Sequence, residues 1–296
     1  LTSSVALERT KSNLFVEITK ELRPKQWTKN ILVFASAVFA GNFFEPVTFW
    51  NAMLAFMSFS LMASTIYIIN DIIDIEKDKI HPEKCKRPIA AGSISVFGGV
   101  MTGIITFSLS LMLSFLLNYL FSIIVIVYFV LNLLYSLKLK HVVIIDVMLI
   151  ALGFVLRAIA GAVAVDGVIT SWFILCTLGL SLFLALGKRR HELELFNDDI
   201  TKRRKVLDFY TVKLLDQLMN IITAVLIMFY SMYAANENPV MMYTIPIVLY
   251  GVFRYYYLIH VEKSGGKPED ILLNDRHIFI SVLLFGVSVI TIKQYF

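Results

Sequence analysis

Nine apolar runs, each long enough to cross a hydrocarbon core, dominate this chain: 27–44, 49–70, 96–117, 120–137, 142–165, 170–187, 214–235, 240–260 and 277–292. A transmembrane helix needs about 20 predominantly apolar residues, range about 17–25. Strands of a membrane barrel would alternate over segments of about 10 residues, and these runs are continuous. Composition agrees. Of 296 residues, 58% are apolar and 17% charged, against about 45–50% and 25% in soluble domains. A soluble globule is excluded, and so is a disordered chain, which needs low hydrophobicity and high net charge. Cys85 and Cys176 stand far apart with no CxxC partner, so neither a disulfide framework nor a zinc site is implied. The expectation is an all-α integral membrane protein with nine transmembrane helices. A charged amphipathic stretch precedes the first run and no small-residue cleavage site follows it, so that run reads as a span, not a leader. The chain divides into a cytoplasmic amphipathic segment, 1–22, and a single transmembrane catalytic domain, 23–296.

Loop charges set the expected orientation. Lys and Arg gather before the first run and in the second, fourth, sixth and eighth connections, whereas the first, third, fifth and seventh hold none. By the positive-inside rule the N-terminus and the even connections face the cytoplasm and the C-terminus lies outside. All five histidines fall on the same inner side; among the acids only Glu45, Asp166 and Glu237 fall outside. An active site should therefore open to the cytoplasm, in a plasma (inner) membrane. The excess of 27 Lys and Arg over 22 Asp and Glu belongs to orientation and substrate, and calls for no nucleic acid.

The second connection opens Asn70-Asp71-Ile72-Ile73-Asp74-Ile75-Glu76-Lys77-Asp78. On a helix, Asp71, Asp74 and Asp78 share one face, where massed carboxylates repel unless a cation sits among them. A solvated acidic loop is the plain alternative. Tyr67 and Asn70 on the same helix end, and the basic segment from Lys84 to Arg87 close behind, favour a metal–diphosphate site. Mg²⁺ suits it, since that ion takes a few carboxylates and completes its shell with water and phosphate oxygens. Arg87 offers either a bidentate phosphate ligand or a topology-setting charge. The fourth connection holds Tyr135, Lys138, Lys140 and His141, with Asp146 opening the fifth run. Arg157 follows eleven residues on, about three helical turns, deep in an apolar span where an ionisable group is functional by default. The other reading is a structural Asp–Arg pairing with a neighbouring helix. Gly153 and Gly161 would let helices approach closely. At the end of the sixth run, Glu192 stands one turn beyond Lys188 and Arg189, where pairing holds basic side chains in place. Arg203, Arg204 and Lys205 read as anchors for anionic lipid. HExxH, GxSxG and P-loop patterns are absent, so hydrolase chemistry has no support.

These residues together resemble the UbiA-type prenyltransferase superfamily. The segments 23–30, 70–92, 139–161, 187–193 and 268–276 look more narrowly like the decaprenyl-phosphate phosphoribosyltransferases. The resemblance implies a UbiA-like bundle, phosphoribosyl diphosphate as donor and a polyprenyl (decaprenyl) phosphate as acceptor in the bilayer. It implies Mg²⁺ on Asp71 and Asp74 with Asp78 assisting, phosphate charge met by Lys140, Lys188 and Arg189 with Arg87, and ribose hydroxyls held by Asp146 and Tyr135. Asn70, Lys29, Arg157 and Glu192 complete the substrate-binding set; Lys25 and Lys29 stand where a lipid phosphate docks or where an interfacial anchor would sit. Prenyltransferases with aromatic acceptors, the alternative, carry a second DxxxD in the sixth connection. Glu194 and Asp198 are at best a degenerate version.

Overall fold

A computed structural model describes residues 14–39, 41–167, 170–195, 205–262 and 268–295. Within them all regular structure is helical. Helix α1 (Leu14–Leu22) leads into a 3-10 helix (Pro24–Phe34) and a short α2 (Ala35–Phe39). Helix α3 (Pro46–Ile73) stops at Asp74, and α4 (Ile75–Ile80) follows. Then come α5 (Val96–Leu117), α6 (Tyr119–Leu137), α7 (Ile145–Ala164), α8 (Ser171–Leu195) and α9 (Val212–Glu237). Helices α10 (Ile245–His260), α11 (Pro268–Asn274) and α12 (Arg276–Tyr295) end the chain.

Seven helices, α3, α5, α6, α7, α8, α9 and α12, are long and apolar enough to cross a membrane. The first and eighth expected spans are not single long helices: each is a 3-10 helix followed by an α-helix, with a proline at the start of the 3-10 segment. Pro24 opens the 3-10 helix, Pro239 opens another (Pro239–Thr244), and Pro246 lies in the first turn of α10. A residue without an N–H is tolerated at a helix start and breaks its interior. At about 2.0 Å per residue for 3-10 and 1.5 Å for α, 24–39 and 239–260 still reach about 30 Å or more, the depth of a hydrocarbon core.

Helix α3 is the most buried of the seven and α5 and α12 among the least; α5 and α12 turn Ile104, Phe115, Phe279 and Leu283 outward. Hydroxyls zip α3 to α5. Ser58 Oγ donates to the Ser110 carbonyl (3.0 Å), Ser110 Oγ to the Ser58 carbonyl (2.8 Å), and Thr65 meets Thr106 at 2.8 Å. Where lipid is as apolar as leucine, such small polar residues hold helices together. Gly161 on α7 admits the 3-10 segment, since a Cβ there would lie 2.1 Å from the Val33 carbonyl oxygen. Gly153 has no such neighbour: its Cβ would meet nothing closer than 3.6 Å. Phe59, fully buried, packs edge-on against Phe121 and Tyr128 between α3 and α6. A separate core of Phe183, Leu186, Leu215, Met219, Tyr255 and Ile259 joins α8, α9 and α10. Asn118 is the whole connection between α5 and α6. It caps α6 by accepting from Phe121 N (2.7 Å) and donates to the Val163 carbonyl on α7 (2.9 Å). Of the expected amphipathic segment, residues 1–13 lie outside the described residues. The described part, α1, exposes Leu14 and Phe15 and buries Glu17 and Glu21.

Candidate active site

The break at Asp74 hardly disturbs helical hydrogen bonding: Asp74 N donates to the Asn70 carbonyl and Asp78 N to the Asp74 carbonyl, both at 2.9 Å. Asp71 and Asp78 therefore keep one face, and both are 2% exposed. Arg87 returns from the end of the loop to bridge them, its Nη1 donating to Asp71 Oδ1 (2.9 Å) and Asp78 Oδ2 (2.5 Å). Arg23 pairs with the other Asp71 oxygen and lays its guanidinium over the Tyr67 ring, 4.9 Å from the centroid. Asp74 turns outward from this pair. It meets Lys77 (3.2 Å) and Lys140 (3.5 Å), tying the second connection to the fourth. Partial burial raises its carboxyl, but those two lysines outweigh it and hold the group below the usual carboxylate range.

The three-aspartate clamp is thus divided. Among the described residues no three His, Cys, Asp or Glu side chains are gathered into a metal site; arginine and lysine pair with the aspartates instead. The donor set nevertheless fits Mg²⁺, which needs only one or two carboxylates and draws the rest from water and phosphate. The Asp71 and Asp78 carboxylates already converge on one cationic nitrogen. Beside them Glu21 of α1 is 1% exposed, with neither carboxylate oxygen hydrogen-bonded. Burial, and then the charge of Asp71, push its carboxyl up to about 7. Sequence reasoning assigned no role to Arg23 or Glu21. The available signals were Arg23 inside the 23–30 segment and the one-turn spacing of Glu17 and Glu21.

A second cluster forms where α7 and α8 meet. Asp146 is fully buried, Arg189 is 1% exposed, and Arg189 Nε donates to Asp146 Oδ2 at 2.7 Å. Arg189 Nη1 reaches Glu192 (2.7 Å) and Nη2 the Tyr135 hydroxyl (3.3 Å). Tyr210, which sequence reasoning missed, donates its hydroxyl to Asp146 Oδ1 (2.8 Å) and accepts from Ile144 N (2.7 Å). Four predicted site residues from three segments of sequence are brought together here. Both Asp146 oxygens are engaged inside the protein, so Asp146 and Arg189 position the rim formed by Tyr135 and Glu192. No sequence spacing pointed to Tyr210.

Arg157 stands apart from both clusters, against Asn30 of the 3-10 helix and Tyr128 of α6. It does not pair with Asp146, although the two share a helix. Lys29 and Lys188 are half-buried, on the 3-10 helix and near the end of α8, and Asn70 is half-buried in the last turn of α3. Of the degenerate second acidic motif, Glu194 is held by Arg190 at 2.9 Å. Asp198, Arg203 and Arg204 lie outside the described residues, as does the Lys205 side chain.

Residues 30–283 match the UbiA prenyltransferase family. The chain belongs to that family. Among its relatives is the decaprenyl-phosphate phosphoribosyltransferase of Mycolicibacterium smegmatis, 33% identical over 96% of this chain and 94% of that protein. The Corynebacterium glutamicum protein of the same name is 34% identical over 94% of this chain and 87% of its own length. Among solved structures, a UbiA homologue from Archaeoglobus fulgidus bound to GPP and Mg²⁺ superposes with a TM-score of 0.73 at 20% identity, covering 93% of this chain and 99% of that one. The family fold is therefore common to both, and the all-helical architecture expected from the sequence stands.

Proposed function

We propose that this UbiA family member transfers 5-phosphoribose from phosphoribosyl diphosphate to a membrane polyprenyl phosphate of the decaprenyl type, releasing diphosphate. The observation that carries the reading is the junction at the inner end of α3: buried Asp71 and Asp78 converge on Arg87, and Asp74 meets Lys140. Full-length relatives that bear a phosphoribosyltransferase name support it.

In this reading Asp71, Asp74 and Asp78 hold Mg²⁺. The ion supplies charge neutralisation for a leaving diphosphate, usually a dominant catalytic contribution. Arg87 and Arg23, which pair with the aspartates, would turn to the diphosphate oxygens as it binds, with Lys140 and Lys188 adding positive charge. The acceptor phosphate is already anionic and needs no dedicated base. Its oxygen bonds to C1 as the C1–oxygen bond to diphosphate breaks, with inversion. Asn70 and Tyr135 contact the donor, and Arg189, set by Asp146 and Glu192, holds Tyr135 in place. The bundle crosses a plasma membrane nine times, the two composite segments included, with the N-terminus inside and the C-terminus outside. Residues 23–296 form the single catalytic domain, and α1 lies along the inner surface with Leu14 and Phe15 toward lipid.

Asp71→Asn and Asp74→Asn test the site. Each is expected to lower transfer of labelled phosphoribose to lipid phosphate at least 100-fold. Wild-type turnover in either removes the claim. Parallel incubation with a polyprenyl diphosphate and an aromatic acceptor separates the prenyl-transfer alternative.

A further inference from the structure

Among the described residues three arginines are buried: Arg157, Arg189 and Arg190. Arg189 meets Asp146 and Glu192, and Arg190 meets Glu194 and Asp216. Arg157, 7% exposed, has no carboxylate within ion-pair distance among the described residues. It lies about 16 Å further along α7 than Asp146, inside an apolar span. Its Nε donates to Asn30 Oδ1 (2.7 Å), Nη1 to the Gly153 carbonyl (2.9 Å) and Nη2 to the Tyr128 hydroxyl (2.6 Å). The rings of Tyr128 and Phe154 stand 4.7 and 5.1 Å from the guanidinium carbon.

Neutral acceptors and aromatic faces offset part of the cost of a buried cation, but they leave its charge without a counterion. A guanidinium has five N–H donors, and three bonds leave two for a ligand. The surroundings are rigid. Asn30, itself fully buried, donates to Ser60 Oγ (3.1 Å), which fixes its carbonyl toward Arg157. Lys29, half-buried, precedes Asn30 directly on the same 3-10 helix. Tyr67 carries Arg23 on its ring, and Arg23 pairs with Asp71. Arg157 makes no hydrogen bond to that aspartate junction; its partners are Asn30, Gly153 and Tyr128.

We infer that Arg157, with Asn30, Tyr128 and Lys29, is a second phosphate receptor that takes a phosphomonoester, separately from the aspartate junction. Two reactants of the proposed transfer carry that group: the donor through its 5-phosphate and the lipid acceptor through its head. The inference rests on the transferase reading, and binding of isolated probes to the intact protein in nanodiscs tests the two separately.

The probes are ribose 5-phosphate, polyprenyl phosphate and Mg²⁺ with inorganic pyrophosphate. Arg157→Gln is expected to weaken one of the first two at least tenfold and to leave pyrophosphate binding within twofold. Loss of ribose 5-phosphate alone assigns the pocket to the donor; loss of the lipid alone assigns it to the acceptor. Arg157→Lys, which keeps the charge without the fork, should fall between. Unchanged binding of both phosphomonoesters overturns the inference, and so does equal weakening of all three probes, the mark of a structural role. Should Arg157→Gln not fold, Lys29→Gln at its half-buried position decides: at least threefold weakening of one phosphomonoester supports the pocket, and no change refutes it. If Asp71→Asn leaves pyrophosphate binding intact, the transferase site fails, whatever Arg157 does.

Discussion

Replacing Asp146 with Asn asks whether the α7–α8 cluster is internal scaffolding or a substrate contact. The wild-type carboxylate is fully buried and takes Arg189 Nε at 2.7 Å and the Tyr210 hydroxyl at 2.8 Å. Removing one member of a buried ion pair costs about 3–5 kcal/mol, because the other charge is left behind. Arg189 keeps Glu192, whose side chain is 16% exposed, so the cost should lie near 3 kcal/mol. At roughly 2 °C per kcal/mol for a chain of this size, Asp146→Asn should lower the unfolding midpoint by about 6 °C. Tryptophan fluorescence during thermal unfolding in one fixed detergent measures this. A double-mutant cycle sharpens it: with Arg189→Met and Asp146→Leu combined, neither charge is stranded, and the pair should cost at least about 2 kcal/mol less than the sum of its singles. Donor affinity in Asp146→Asn should stay within threefold. A midpoint within 1 °C of wild type, accompanied by a tenfold or greater loss of donor affinity, would refute the scaffolding argument and put Asp146 on the ribose.

Glu21→Gln should raise stability increasingly with pH. The folded carboxyl titrates at about 7 against an ordinary 4.5, so the unfolded chain gives up this proton first. Stability then falls between those values by about 3 kcal/mol; an advantage of the variant that is equal at pH 5 and pH 8 would contradict this. Lys140→Met should cost under about 1 kcal/mol, since Lys140 and Asp74 are each about a quarter exposed, yet raise the donor KM about tenfold; an unchanged KM removes Lys140 from the site. Asp74, held low by its lysines, contributes stability above the ordinary carboxylate range and loses it as pH falls through its own lower value. Lys140→Met should move that acid limb upward in a pH series of unfolding midpoints. Gly161→Ala should abolish folding or lower the midpoint by more than about 6 °C, because its Cβ meets the Val33 carbonyl oxygen at 2.1 Å. Gly153→Ala, with 3.6 Å of room, should be tolerated.

What could be read before folding was whatever rests on local periodicity. Long apolar runs set helix and membrane, and the Asn70 to Asp78 spacing put Asp71 and Asp78 on one face because helical hydrogen bonds continue through Asp74. The first and eighth runs misled as simple helices because hydropathy does not distinguish a 3-10 turn from an α turn, and each run begins as a 3-10 helix before it continues as an α-helix. Arg23 and Tyr210 escaped notice for a different reason. They lie 48 and 64 residues from the carboxylates they meet, and no local pattern carries a partner at that range.

Sequence alone therefore determined the solvent this chain requires, the helical class and the acidic and basic side chains available at the ends of its spans. Tertiary packing decided which charge meets which: Asp146 goes to Arg189 on another helix, and Arg157 on its own helix is left with neutral partners. The reason is range. Helix formation is settled over a few residues, whereas an ion pair between helices depends on crossings set by small residues such as Gly161, and only the assembled bundle brings those surfaces together.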